Sequence, residues 1–131
     1  MRRVRPFLGI VAGLTMIASF AAHSLLGWPM VASALAPAHL PADLVRGLAI
    51  GWQFGGASML IFGAIVLAVF TRVMRGTAVS AAPPRMIAAL YVAFGFTALA
   101  LTGDVFFLVF VVPGLMLAAA SFGPGAPSAT R

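Results

Sequence analysis

Four apolar runs, each long enough to cross a bilayer as helix, set the terms on which this chain can fold. Spanning the hydrocarbon takes about 20 apolar residues. Residues 6–26 carry no charge, residues 44–70 carry only Arg46 near their start, and residues 86–102 and 105–122 complete the set. The last two are short, and only Gly103 and Asp104 separate them. One continuous helix there would bury Asp104 at the membrane midplane, at a cost of about 2.5–3.5 kcal/mol. A tight hairpin with Gly103-Asp104 at the water interface avoids that cost. The expected fold is therefore all-α: an integral membrane bundle of four transmembrane helices, in a single domain over residues 1–122. Residues 123–131, rich in Gly, Pro, Ser and Ala, read as a disordered cytoplasmic tail.

Composition narrows the function classes. Hydrophobic residues make up 63% of the chain and charged residues 8%, against about 25% charged in a soluble domain. That excludes a soluble enzyme, a disordered chain and a coiled coil, and the absence of cysteine excludes a disulfide scaffold. The net charge of +6 does not point to nucleic acid, because the arginines flank apolar runs instead of forming a basic face. Charge so placed orients a chain in a bilayer. With both termini cytoplasmic, Arg2, Arg3, Arg5, Arg72, Arg75, Arg85 and Arg131 all lie inside, and only Arg46 lies outside. Usage rich in Ala, Arg and Pro and free of Lys suits a GC-rich bacterial genome, so the expected location is a bacterial inner membrane, multi-pass. A rival reading of the first run is a signal peptide ending at Ser19-Phe20-Ala21. The apolar stretch continues past Ala21 to Leu26, which favours a retained helix.

Residues 27–41 read as an outer loop. Pro29, Pro37 and Pro41 interrupt them, yet Trp28, Met30, Val31, Leu35 and Leu40 are too apolar for a free loop. The expectation is a segment lying in the interface or folded back on the bundle, anchored by Trp28. Pro41 and Asp43 suit the first turn of the second helix. Glycines recur every four residues at Gly47, Gly51 and Gly55, and at Gly9 and Gly13, which marks faces for close helix approach. The approach is either within the bundle or between two copies of the chain.

Polar residues within the apolar runs are the candidates for chemistry. His23, Arg46 and Asp104 share one membrane level, with His39 on the outer loop and Gln53 deeper in the second helix. The functional reading is an outward pocket for a small ligand: haem, a quinone, a lipid headgroup or a metal. Histidine can ligate or accept a proton, and Arg46 can hold an anionic group with Asp104 as counterion. The plainer reading is structural: Arg46 pairs with Asp43 or Asp104, His23 bonds a carbonyl, and Gln53 cross-links helices. No nucleotide-binding glycine loop, catalytic triad or metal-binding cluster is present, and no cofactor can be named.

The run His23-Ser24-Leu25-Leu26-Gly27, followed by Trp52-Gln53, resembles small bacterial four-span membrane proteins in which His-Ser-x-x-Gly ends the first helix and Trp-His lies in the second. This chain departs from the pattern at Gln53. The resemblance covers the first two helices and implies the four-span architecture and no activity. Small multidrug exporters share the length, but they carry an acid in the first helix that is missing here. The leading functional expectation is thus a non-enzymatic accessory or helix-interaction subunit, self-associating or joined to a membrane partner. Ligand binding by His23, Arg46, Gln53 and Asp104 is the alternative. Transport is third, because no polar side chain follows Ser58 before Phe70.

Overall fold

The computed structural model describes residues 4–122. The tail expected at 123–131, Arg2, Arg3 and Arg131 lie outside the described residues. Four helices follow one another: α1 (Val4–Ala38), α2 (Ala42–Met74), α3 (Ala82–Thr102) and α4 (Val105–Phe122). Among the described residues there is no strand. All four helices are long and apolar enough to cross a membrane, which establishes the all-α, four-span architecture.

The first expectation to fail is the outer loop. Residues 27–38 remain helical, and only His39, Leu40 and Pro41 link α1 to α2. His39 closes α1 in the left-handed region (φ 48°), and Pro41 starts α2 by accepting from the N–H groups of Leu44 and Val45. Prolines mislead here because each is accommodated without ending the helix early. Pro37 lies in the closing 3-10 turn of α1, and Pro29 follows a π turn described below. Likewise Pro83 and Pro84 open α3, where first-turn N–H groups have no helical acceptor anyway, so that helix begins earlier than the apolar run suggests. Gly103 (φ 68°) and Asp104 make the expected hairpin turn.

Helix α1 packs along α2 on one side and α4 on the other, and α3 packs along α4. The core comprises Ala12, Met16, Val66, Phe70, Ile87, Ala88, Tyr91, Leu117 and Ala120. Glycines let backbones meet. A methyl at Gly63 would lie 2.8 Å from the Gly13 carbonyl oxygen, and one at Gly95 would lie 2.9 Å from the Val111 nitrogen. Gly9 seats the Phe70 ring. Where the start of α3 meets the end of α4, the Arg85 Nε donates to the Ser121 carbonyl oxygen (3.0 Å) and its guanidinium lies over the Phe122 ring. That cation covers the C-terminal end of α4, where carbonyls lack helical donors.

The helix lengths differ, and this positions the site. At about 1.5 Å per residue, α1 and α2 are each about 50 Å long, whereas α3 and α4 are about 30 Å. The α1–α2 hairpin therefore stands beyond the α3–α4 hairpin. The groove along Gly47 and Gly51 lies on this projecting part of α2.

Candidate functional site

The site begins with a local backbone irregularity in α1. Residues Ala22–Gly27 form a π turn just ahead of Pro29. Proline has no N–H for a preceding carbonyl, and its ring collides with the carbonyl four residues back. Widening the helix at that point relieves the collision and turns carbonyl groups outward. Side chains of α2 take them up: Trp52 Nε1 donates to the His23 carbonyl oxygen (2.8 Å), and Gln53 Nε2 donates to the Ser24 carbonyl oxygen (3.4 Å). In hydrocarbon an unpaired carbonyl has no water to turn to, so these two side chains are what allow α1 to run on past Pro29.

His23 completes the junction. Its ring lies flat on the Trp52 indole, with centroids 4.2 Å apart and planes 3° from parallel. Its Nε2 is 3.1 Å from the Trp52 carbonyl oxygen. A carbonyl can only accept, so Nε2 carries the proton and donates. Two α2 glycines make room. A methyl at Gly55 would lie 3.5 Å from Nε2, and one at Gly56 would lie 3.4 Å from Cδ2 and run into the Ser24 hydroxyl. The Nε2–Cδ2 edge thus abuts α2. The opposite vertex of the ring is Nδ1, which faces away from α2 and, in the neutral ring, carries a lone pair.

Beside this junction opens a cleft of about 690 Å³ between α1, α2 and the start of α4. Its polar lining is Thr15, Ser19, His23, Trp52 and Asp104, and the remainder is apolar, including Leu26, Met30, Val109 and Phe110. Asp104 belongs to α4: its Oδ1 accepts from the Phe106 N–H (2.8 Å) and caps the helix start. The positive end of that helix favours a carboxylate there. His23 also borders a smaller cavity of about 230 Å³ with Ser58, Met59 and Tyr91.

The residues expected to form one pocket are therefore only partly gathered. His23 and Asp104 line the same cleft, and Arg46 is not among its residues. Arg46 pairs with Asp43 at 3.5 Å on the exposed side of α2, one helical turn away in sequence. Gln53 bonds the α1 backbone and does not line the cleft. His39 is exposed in the α1–α2 turn, so the two histidines do not share a cavity. Among the described residues no three His, Cys, Asp or Glu side chains gather as a metal-binding group. Of the glycines, Gly9 and Gly13 face α2 closely, whereas a methyl at Gly47 or Gly51 would meet no atom within 4 Å. Among the described residues, those two do not serve helix packing. With Gly55 they floor an open groove edged by Leu44, Leu48 and Trp52.

Sequence reading missed Thr15, Ser19 and Trp52 as lining residues. A signal was present, since Thr15, Ser19 and His23 recur every four residues and so share one face of α1. No family model, curated protein or solved structure matches this chain.

Proposed function

We propose that this protein is a bacterial inner-membrane bundle, both termini cytoplasmic, that binds a small amphiphile in the cleft beside His23. The observation that carries this reading is the cleft itself: about 690 Å³ of largely apolar space, with His23 and Asp104 in its wall. Ligand sites combine apolar walls with a few placed polar groups, at volumes of about 300–1,000 Å³. The orientation rests on charge. Arg72, Arg75 and Arg85 flank the α2–α3 connection, at the end opposite Asp43, Arg46 and Asp104. The positive-inside rule then puts the cleft near the outer leaflet.

Extraction of small molecules from the protein purified in native nanodiscs tests this. A stoichiometric compound in the wild type, absent from Ala18→Trp, which fills the cleft, is the expected result. The same sample's visible spectrum and metal content separate haem or metal from colourless lipids and quinones. Identical extracts from both proteins would defeat the reading.

A second reading concerns the groove floored by Gly47 and Gly51, which no other segment among the described residues covers. A second copy of α2 fits it. In a parallel two-fold pair, the small residues allow close approach and Asp43 of each copy lies within one helical turn, about 4.5 Å along the axis, of Arg46 of the other. Concentration-dependent energy transfer between labelled copies, abolished by Gly51→Leu, is the expected behaviour. Transfer unchanged by that substitution would exclude this interface.

A further inference from the structure

The cleft has a polarity that its residue types alone do not reveal. It holds four side-chain hydrogen-bond donors, and every one is already committed to a backbone carbonyl. The Thr15 hydroxyl donates to Val11 (2.9 Å), and the Ser19 hydroxyl to Thr15 (2.8 Å). The His23 Nε2 donates to Trp52, and the Trp52 Nε1 to His23. What remains on these lining residues is acceptor capacity: the oxygen lone pairs of Thr15 and Ser19, the Nδ1 of a neutral His23, and the second carboxylate oxygen of Asp104. Arg46, the arginine expected at this site, pairs with Asp43 and does not line the cleft. Among the described residues, Asp104 is the only acidic or arginine side chain there.

We infer that the ligand of this cleft is an amphiphile whose headgroup donates hydrogen bonds, a primary ammonium foremost and a hydroxyl next, and that anionic headgroups are excluded. The inference rests on the reading of the cleft as a binding site. It reverses the sign suggested by an arginine at this membrane level. A carboxylate or phosphate brought into the cleft would find no free side-chain donor among these residues and would meet the like charge of Asp104. An ammonium would find several acceptors along one face of α1 and a counterion on α4. Its chain would lie against Leu26, Met30, Val109 and Phe110.

Three probes with the same dodecyl chain test this: dodecylamine, dodecanol and dodecanoate. Each is titrated into the full chain in phosphatidylcholine nanodiscs, with Trp28→Phe leaving Trp52 as the fluorescent reporter in the cleft wall. Saturable quenching by dodecylamine is expected at a concentration about tenfold lower than for dodecanoate, the factor that one charge-assisted hydrogen bond supplies. Asp104→Asn, which retains a capping oxygen for the Phe106 N–H, removes most of that preference. Ser19→Ala weakens dodecylamine and dodecanol together and leaves Asp104 in place, so it decides the matter should the Asn variant misfold. Dodecanoate binding as tightly as dodecylamine, or a preference unchanged by Asp104→Asn, overturns the headgroup assignment but leaves the cleft a binding site. Absence of saturable quenching by all three probes overturns the binding-site reading itself.

Discussion

Gly63→Ala sets two effects of opposite sign against each other at one carbon. In a soluble helix the change would gain about 1 kcal/mol of helix propensity. In a membrane the separated helices stay helical, so little of that gain survives. Against it stands the contact with α1. The new methyl would lie 2.7 Å from Ile17 Cγ1, 2.8 Å from the Gly13 carbonyl oxygen and 3.1 Å from the Ile17 nitrogen. Ile17 Cγ1 can rotate aside, but the two backbone atoms cannot. The carbonyl is 0.6 Å inside the 3.4 Å at which ordinary contact begins, so the two helices must part by about that much. A gap of 0.5–1 Å forfeits about a quarter to a half of each dispersion contact, and overpacking of this kind costs about 1–3 kcal/mol. The expected net loss is about 1–2 kcal/mol. Gly47→Ala is the matched control on the same helix. Nothing lies within 4 Å of its methyl, so the expected change is between zero and a gain of less than about 1 kcal/mol. Titration of dilute protein with dodecyl sulfate in mixed micelles, followed by tryptophan fluorescence, reads both. A Gly63→Ala midpoint at or above the wild type, or below-wild-type stability for Gly47→Ala alone, would refute this account of the α1–α2 contact.

Trp52→Phe keeps an aromatic face for His23 but leaves the His23 carbonyl without its donor, so stability should fall by about 0.6–2 kcal/mol in the same titration. Arg85→Ala should cost about 1–2 kcal/mol by uncovering the Ser121 carbonyl at the end of α4, and faster amide exchange in the last turn of α4 would report it. Arg46→Gln, by contrast, breaks a pair whose side chains are 73% and 95% exposed, so stability should move by less than about 0.5 kcal/mol and probe binding in the cleft not at all. Loss of probe binding in Arg46→Gln would return that arginine to the site.

How much of this could be read before any helix was packed depends on what kind of information each feature needs. The four spans, the turn at Gly103-Asp104 and the bounds of α4 follow from local composition, because lipid rewards apolar length and penalises a buried charge wherever it falls. The placement of charge along the chain is equally local. The continuation of α1 past Pro29 is not local. It depends on Trp52 and Gln53 reaching across from α2 to carbonyls freed by the π turn, and without them the proline reads as an end. Rotation of each helix about its axis is not local either. In helices apolar on every side, little in the sequence says which face is inward, so Gly47 and Gly51 look as well placed for packing as Gly9 and Gly13. The partner of Arg46, by contrast, is local: Asp43 lies three residues away on the same helix, a spacing that puts the two side chains side by side. Composition thus determined that the chain crosses a membrane four times. Only the rotation and contact of the packed helices decided that Thr15, Ser19, His23 and Asp104 line one cleft and that Arg46 stands outside it.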